Sequence, residues 1–153
     1  MQMEAMYQEI ILDHYRHPHH KGLAEPYDVE VHHVNPTCGD EVTVRVRLTD
    51  DGRHAVEEIS YDGLGCSISQ ASTSVMTDLV SGKPLADALA VQAQFLALMQ
   101  SKGAEVDLDE ELLEDAVAFA GVARYPARIK CALLGWMAFK DAAAQAVAAK
   151  EHA

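Results

Sequence analysis

Glu41-Val42-Thr43-Val44-Arg45-Val46-Arg47-Leu48-Thr49 sets four aliphatic residues at every second position against threonine and two arginines. Successive side chains on a strand point to opposite faces, so this run predicts a strand with one face on a core and the other wet. Asp50-Asp51-Gly52 follows and closes a hairpin onto a strand near Ala55–Tyr61. Upstream, Tyr27–Val34 reads as a third strand. Strands this close in sequence pair antiparallel.

Helices account for the rest. Met3, Met6, Tyr7, Ile10, Ile11 and His14 recur at helical spacing, and Arg16-His17-Pro18 ends that first helix. After Gly65 a helix over Cys66–Val80 stops at Ser81-Gly82, and another runs from Pro84 towards Met99 before Ser101-Lys102-Gly103 breaks it. Asp109 caps a helix expected to continue through Gly121. Its first two turns carry Asp109, Glu110, Glu111, Glu114 and Asp115, a solvated face that complements the positive end of the macrodipole. Pro126 opens a long last helix with an apolar surface of Leu133, Leu134, Trp136, Met137 and Phe139. Its Ala142–Ala149 end is expected to fray. The sum is an α+β fold over residues 1–153 as a single domain: an N-terminal helix, a small three-stranded antiparallel sheet, and helices packed on one face.

A chain of 153 residues, 49% hydrophobic, buries roughly two thirds of its unfolded surface and needs no metal to compensate for small size. Its net charge of −12 repels phosphate backbones and anionic lipid, which excludes nucleic acid and membrane surfaces as partners. No apolar stretch approaches the roughly 20 residues of a spanning helix.

The cysteines are Cys38, Cys66 and Cys131. Cys38 lies in Asn35-Pro36-Thr37-Cys38-Gly39-Asp40, a turn-forming run with a carboxylate two residues on. Cys66 follows Gly63-Leu64-Gly65 where a helix begins, and Cys131 stands near the start of the last helix. Three thiolates and the Asp40 carboxylate make a complete tetrahedral set for zinc. Buried thiols that merely fill space are the alternative, but glycine and polar residues flank two of the three. An odd cysteine count and the Met-Gln-Met-Glu opening argue against a disulfide framework and a leader, which points to a reducing cytoplasm.

Other motifs carry less. Gly63-Leu64-Gly65 lacks the third glycine of a dinucleotide fingerprint, and Ser67, Ser69, Ser72, Thr73 and Ser74 have no nucleophile elbow. Those hydroxyls are expected to satisfy backbone and packing at a tight helix–sheet contact. His14, His17, His19 and His20 cluster near the end of the first helix, while His32 and His33 point to opposite strand faces and cannot easily share an ion. All six read as solvated or locally hydrogen-bonded.

Three motifs, Asn35 to Asp40, Gly63-Leu64-Gly65-Cys66-Ser67-Ile68-Ser69-Gln70-Ala71-Ser72 and Ala127-Arg128-Ile129-Lys130-Cys131, resemble in order those of the IscU/NifU-N-terminal family of iron–sulfur cluster assembly proteins. Leu12-Asp13-His14-Tyr15-Arg16-His17-Pro18 looks like its N-terminal signature, and the likeness runs from about Met6 to Phe139. Within the family the chain resembles the SufU branch. Scaffold members place a histidine before the third cysteine, where Lys130 stands here, and the 64 residues between Cys66 and Cys131 exceed the scaffold spacing, the surplus falling around Lys83–Gly103. The resemblance implies a zinc-dependent sulfurtransferase that takes persulfide sulfur from a SufS-type cysteine desulfurase and passes it towards downstream Fe–S assembly proteins. It implies zinc on Cys38, Asp40, Cys66 and Cys131.

Sulfur transfer needs a thiolate, and a bound metal keeps cysteine deprotonated at neutral pH. Cys38, between Pro36 and Gly39, is the candidate to leave the metal and carry sulfur. Arg128, one turn before Cys131, reads either as a partner of Asp40 or of a thiolate, or as a solvated arginine. An iron–sulfur scaffold or an inert structural zinc module remains the alternative use of the same ligands.

Overall fold

The computed structural model describes residues 2–37, 39–101 and 108–151. Helix α1 (Gln2–Arg16) precedes strands β1 (Val29–Asn35), β2 (Asp40–Leu48) and β3 (Val56–Leu64), which form one antiparallel sheet in the order β1-β2-β3. Helices α2 (Ser67–Val80), α3 (Leu85–Gln100), α4 (Glu110–Leu113), a 3₁₀ helix (Glu114–Arg124) and α5 (Pro126–Glu151) follow.

The alternation in β2 holds. Val42, Val44, Val46 and Leu48 are buried while Thr43, Arg45 and Arg47 are half-exposed. Val44 pairs with Val31 on one side and Tyr61 on the other, so the sheet presents a continuous apolar face. Helix α5 lies against β1 and β2, and α2 lies against β3. β3 runs three residues beyond the expected Tyr61, so its last residue, Leu64, stops two short of Cys66. The β2–β3 connection spans the expected Asp50-Asp51-Gly52, with Asp51 Oδ1 accepting from Thr49 Oγ1 (2.8 Å) and Arg53 N (3.0 Å).

Among the helices Trp136 is the anchor. It is fully buried, stacks on Phe95 with ring centroids 4.3 Å apart, and donates Nε1–H to Ser72 Oγ at 3.0 Å. Ser72 Oγ in turn donates to Ala132 O at 2.7 Å. The hydroxyl-rich start of α2 therefore satisfies backbone and packing as expected, with hydrogen-bond partners on α5 and α1 while the helix also rests on β3.

Two helical expectations need correction. The helix expected from Asp109 to Gly121 is α-helical only to Leu113, where Glu114 takes φ +47° and the chain continues as a 3₁₀ helix to Arg124. Leu113, Ala116, Phe119 and Val122 are all buried. That strict spacing of three is the 3₁₀ period, and it places all four on the core where an α-helix would rotate some outward. Asp109 does cap the start, accepting from Leu112 N at 3.1 Å, and Asp109, Glu110, Glu111, Glu114 and Asp115 are exposed as expected. Nor does α5 fray at Ala142–Ala149. Ala142, Ala143 and Ala146 are buried, and Lys150 beyond them pairs with Asp28 and Asp50. Its ammonium holds the Asp50 carboxyl below the usual carboxylate range. Of the expected helix break, Lys102 and Gly103 lie outside the described residues; Ser101 closes α3, its N–H bonding Ala97 O at 3.1 Å.

Candidate metal centre

Three segments converge at one end of the fold. Asp40 is the first residue of β2, Cys66 is the N-cap of α2, and Cys131 sits in the second turn of α5. Cys38 lies outside the described residues; in sequence it stands in the β1–β2 connection, two residues before Asp40. One ligand atom from each of Asp40, Cys66 and Cys131 lies within 4.8 Å of the other two. Asp40 and Cys131 are buried, and Cys66 is exposed.

Local chemistry explains the convergence. Asn35 and Asp40 are register partners, and Gly39 N–H bonds Asn35 O at 2.8 Å while Thr37 N–H bonds Asn35 Oδ1 at 3.2 Å. Gly39 takes φ +77°, a conformation that suits glycine. This aims the Asp40 carboxylate at the entry of α2, where Oδ1 accepts the Cys66 N–H at 3.1 Å. Cys66 Sγ stands 3.6 Å from Asp40 Oδ2. Two ligands of a tetrahedral zinc, sulfur at about 2.3 Å and oxygen at about 2.1 Å from the ion, are themselves about 3.6 Å apart. The sulfur–carboxylate spacing already suits a common ion.

Sequence reasoning named the donors and overlooked their supports. Ser69 Oγ donates to Cys66 O at 3.1 Å and lies 3.9 Å from Cys66 Sγ. Gly65 is needed because a Cβ there would meet Ser69 Oγ at 2.4 Å and Asp40 Oδ1 at 2.9 Å. Gly65→Ala is therefore expected to push the Asp40 carboxylate off the site and weaken metal retention, with the helical circular dichroism unchanged; equal retention would show that the carboxylate has room to give. Arg128 is exposed in the first turn of α5. His32 bonds Thr43 Oγ1 on the neighbouring strand at 2.9 Å, whereas His33, on the opposite face, bonds Asp141 Oδ2 on α5 at 2.8 Å, a distant partner and not a local one.

The family model described as "NifU-like N terminal domain" matches residues 6–132. The chain belongs to this family. It is 38% identical over 143 residues to the zinc-dependent sulfurtransferase SufU of Bacillus subtilis, covering 94% of this chain and 92% of the relative. It is also 41% identical over 140 residues to the iron–sulfur cluster assembly scaffold protein IscU of Streptococcus pyogenes, covering 92% and 84%. A crystal structure from Fervidobacterium islandicum, whose description proposes an iron–sulfur cluster assembly scaffold for the SUF system, superimposes with a TM-score of 0.77 at 33% identity and covers 91% of this chain and 97% of that one. The NifU-type fold expected from the motifs is thus the fold found. No helix among the described residues is long and apolar enough to cross a membrane.

Proposed function

We propose that this protein is a zinc-dependent sulfurtransferase, acting as a single cytoplasmic domain, that receives persulfide sulfur from a SufS-type cysteine desulfurase and passes it to iron–sulfur assembly proteins. The observation that carries the reading is the convergence of Asp40, Cys66 and Cys131 within 4.8 Å, with Cys38 two residues before Asp40 in sequence. Cys38, Asp40, Cys66 and Cys131 would hold the ion, which when bound keeps the sulfurs as thiolates at neutral pH. Similarity to the Bacillus protein over 94% of the chain supports the same assignment.

In the transfer, the Cys38 thiolate attacks the outer sulfur of the donor's persulfide. A new S–S bond forms on Cys38, the donor's S–S bond breaks, and the donor's inner sulfur leaves as a thiolate. The persulfide proton stays on the transferred sulfur, and nothing is oxidised or reduced overall. Asp40 fixes the start of α2 through the Cys66 N–H, so Cys66 keeps its place while Cys38 reacts. Arg128, exposed one turn before Cys131, would meet the negative charge of an incoming persulfide. Val34, Glu41 and Leu64 are register neighbours across the sheet edge nearest the site, and Val34 and Leu64 are 50% and 70% exposed. Apolar side chains left in water beside a reactive site suit a protein partner.

The test is a single turnover with a cysteine desulfurase and labelled cysteine, followed by peptide mass spectrometry. The added sulfur is expected on the peptide containing Cys38, from colourless protein with zinc bound. Label on Cys66 or Cys131, or undiminished acceptance by Cys38→Ser, would defeat the assigned role of Cys38. Brown protein carrying iron and sulfide would favour the scaffold reading suggested by the Streptococcus relative.

A further inference from the structure

We propose a second, separate site for a borderline divalent transition ion such as zinc, formed by His14, His19 and Asp78 at the far end of α2. Asp78 is twelve residues beyond Cys66 along the same helix, about 18 Å at the rise of an α-helix. The two sites therefore share no ligand and do not touch.

His14 is buried at the last turn of α1, and its Nδ1 is bonded to Ser74 Oγ at 2.8 Å. When Nδ1–H donates to that hydroxyl, the Nε2 lone pair is left to ligate. An outer hydrogen bond of this kind fixes ring orientation and tautomer in imidazole metal sites. His19 is held by its backbone: its N–H donates to Ser74 Oγ at 2.8 Å, and its carbonyl, at 3.2 Å, shares the Thr77 hydroxyl proton with the nearer Ser74 O at 2.7 Å. Its ring lies 4.6 Å from that of His14, centroid to centroid, and its Nδ1 is bonded to Asp78 Oδ2. One ligand atom from each of His14, His19 and Asp78 falls within 4.8 Å of the others.

The surroundings are built for positive charge. A cleft of about 100 Å³ opens here, lined by His14, Val75, Asp78, Leu79, Glu114 and Asp115, with no lysine or arginine among them. Asp115 Oδ2 is 3.6 Å from His14 Nε2 and is within reach as a fourth donor. Asp78 lies in the last turn of α2, where the negative pole of the helix disfavours a carboxylate unless a cation is beside it. His20, whose Nε2 is 3.4 Å from Asp78 Oδ1, flanks the same carboxylate. Two imidazoles and one or two carboxylates select zinc, cobalt, nickel or ferrous iron over calcium and magnesium. The side chains of His19 and Asp78 are 44% and 38% exposed, so the ion has a way in and binds exchangeably.

Tag-free protein should be titrated with Co²⁺ and, separately, equilibrated with Zn²⁺ and assayed for metal. Thiolate-to-cobalt charge transfer reports the cysteine site alone, whereas the His14–His19–Asp78 site adds ligand-field absorption without it. Two equivalents are expected in the parent. His19→Ala and Asp78→Asn, which alter exposed side chains, are expected to lose the equivalent without charge transfer and keep the other; Ser74→Ala should weaken it roughly 10–100-fold. A parent that takes up no metal outside the thiolate site, or a second equivalent undiminished in both His19→Ala and Asp78→Asn, overturns the proposal and leaves an ordinary His–Asp contact. Absence of charge transfer with a His19-dependent equivalent still present would count against the zinc–thiolate reading and for this one.

Discussion

Asp40→Ala is expected to lose zinc and stability together, whereas Asp40→Asn loses zinc with little loss of stability. The carboxylate has two jobs that the structure separates by oxygen. Oδ1 accepts the Cys66 N–H at 3.1 Å, and Oδ2 faces Cys66 Sγ at 3.6 Å. Alanine removes both and leaves the Cys66 N–H without the carboxylate acceptor, which costs about 1–3 kcal/mol. Asparagine keeps an amide oxygen for the N–H but lacks the anionic ligand. For both variants the loss of zinc affinity should exceed the roughly 10–100-fold typical of losing an outer-shell partner. Urea unfolding and competitive chelator titration, run on the same preparations, separate the two effects. Parental zinc affinity in Asp40→Asn would reduce Asp40 to a helix cap.

Most of this architecture is legible in short-range pattern because the informative residues are governed by local rules. The valines of β2 declare their face through period two, and Pro126 and Ser81-Gly82 bound helices through backbone chemistry that needs no tertiary context. Cys38 and Cys66 stand out as candidate ligands by their glycine and polar neighbours, and Asp40 by its place after Cys38-Gly39. Tertiary contact hides the rest. Asp109 to Gly121 carries a helix cap and acidic first turns that suit an α-helix, yet the spacing of Leu113, Ala116, Phe119 and Val122 fits the core better at three residues per turn, and the backbone follows it. The alanines after Ala142 look like a loose helix end until Lys150 is seen against Asp28 and Asp50, about a hundred residues away in sequence. His14 and His19 were visible as a cluster. Asp78 was not, because its relation to them exists only once the segment after α1 is laid along α2.

Cys66 and Cys131 stand at or near the starts of α2 and α5, which pack on each other, and Gly135 faces Thr73 across that contact. By helix propensity alone, Gly135→Ala stabilises a helix interior by about 1 kcal/mol. Here the added Cβ would stand 2.3 Å from Thr73 Oγ1, 2.9 Å from Thr73 Cγ2 and 3.0 Å from Thr73 Cβ. Rotating Thr73 gives no escape, because its hydroxyl bonds Ser69 O at 2.8 Å and the Cβ contact stays whichever rotamer it takes. The helices must part, and overpacking of this kind costs about 1–3 kcal/mol, which reverses the sign expected from propensity. Trp136→Ala removes the neighbouring fully buried ring, its stack on Phe95 and its bond to Ser72, at about 3–5 kcal/mol, but it leaves a cavity and applies no pressure between the helices. The pair therefore distinguishes stability from geometry. Urea unfolding should rank Trp136→Ala as the less stable protein, while zinc retention in folded protein should fall further in Gly135→Ala, where α2 carrying Cys66 is pushed from α5 carrying Cys131. Retention that tracks stability across the two variants would mean that the α2–α5 distance does not govern the metal centre.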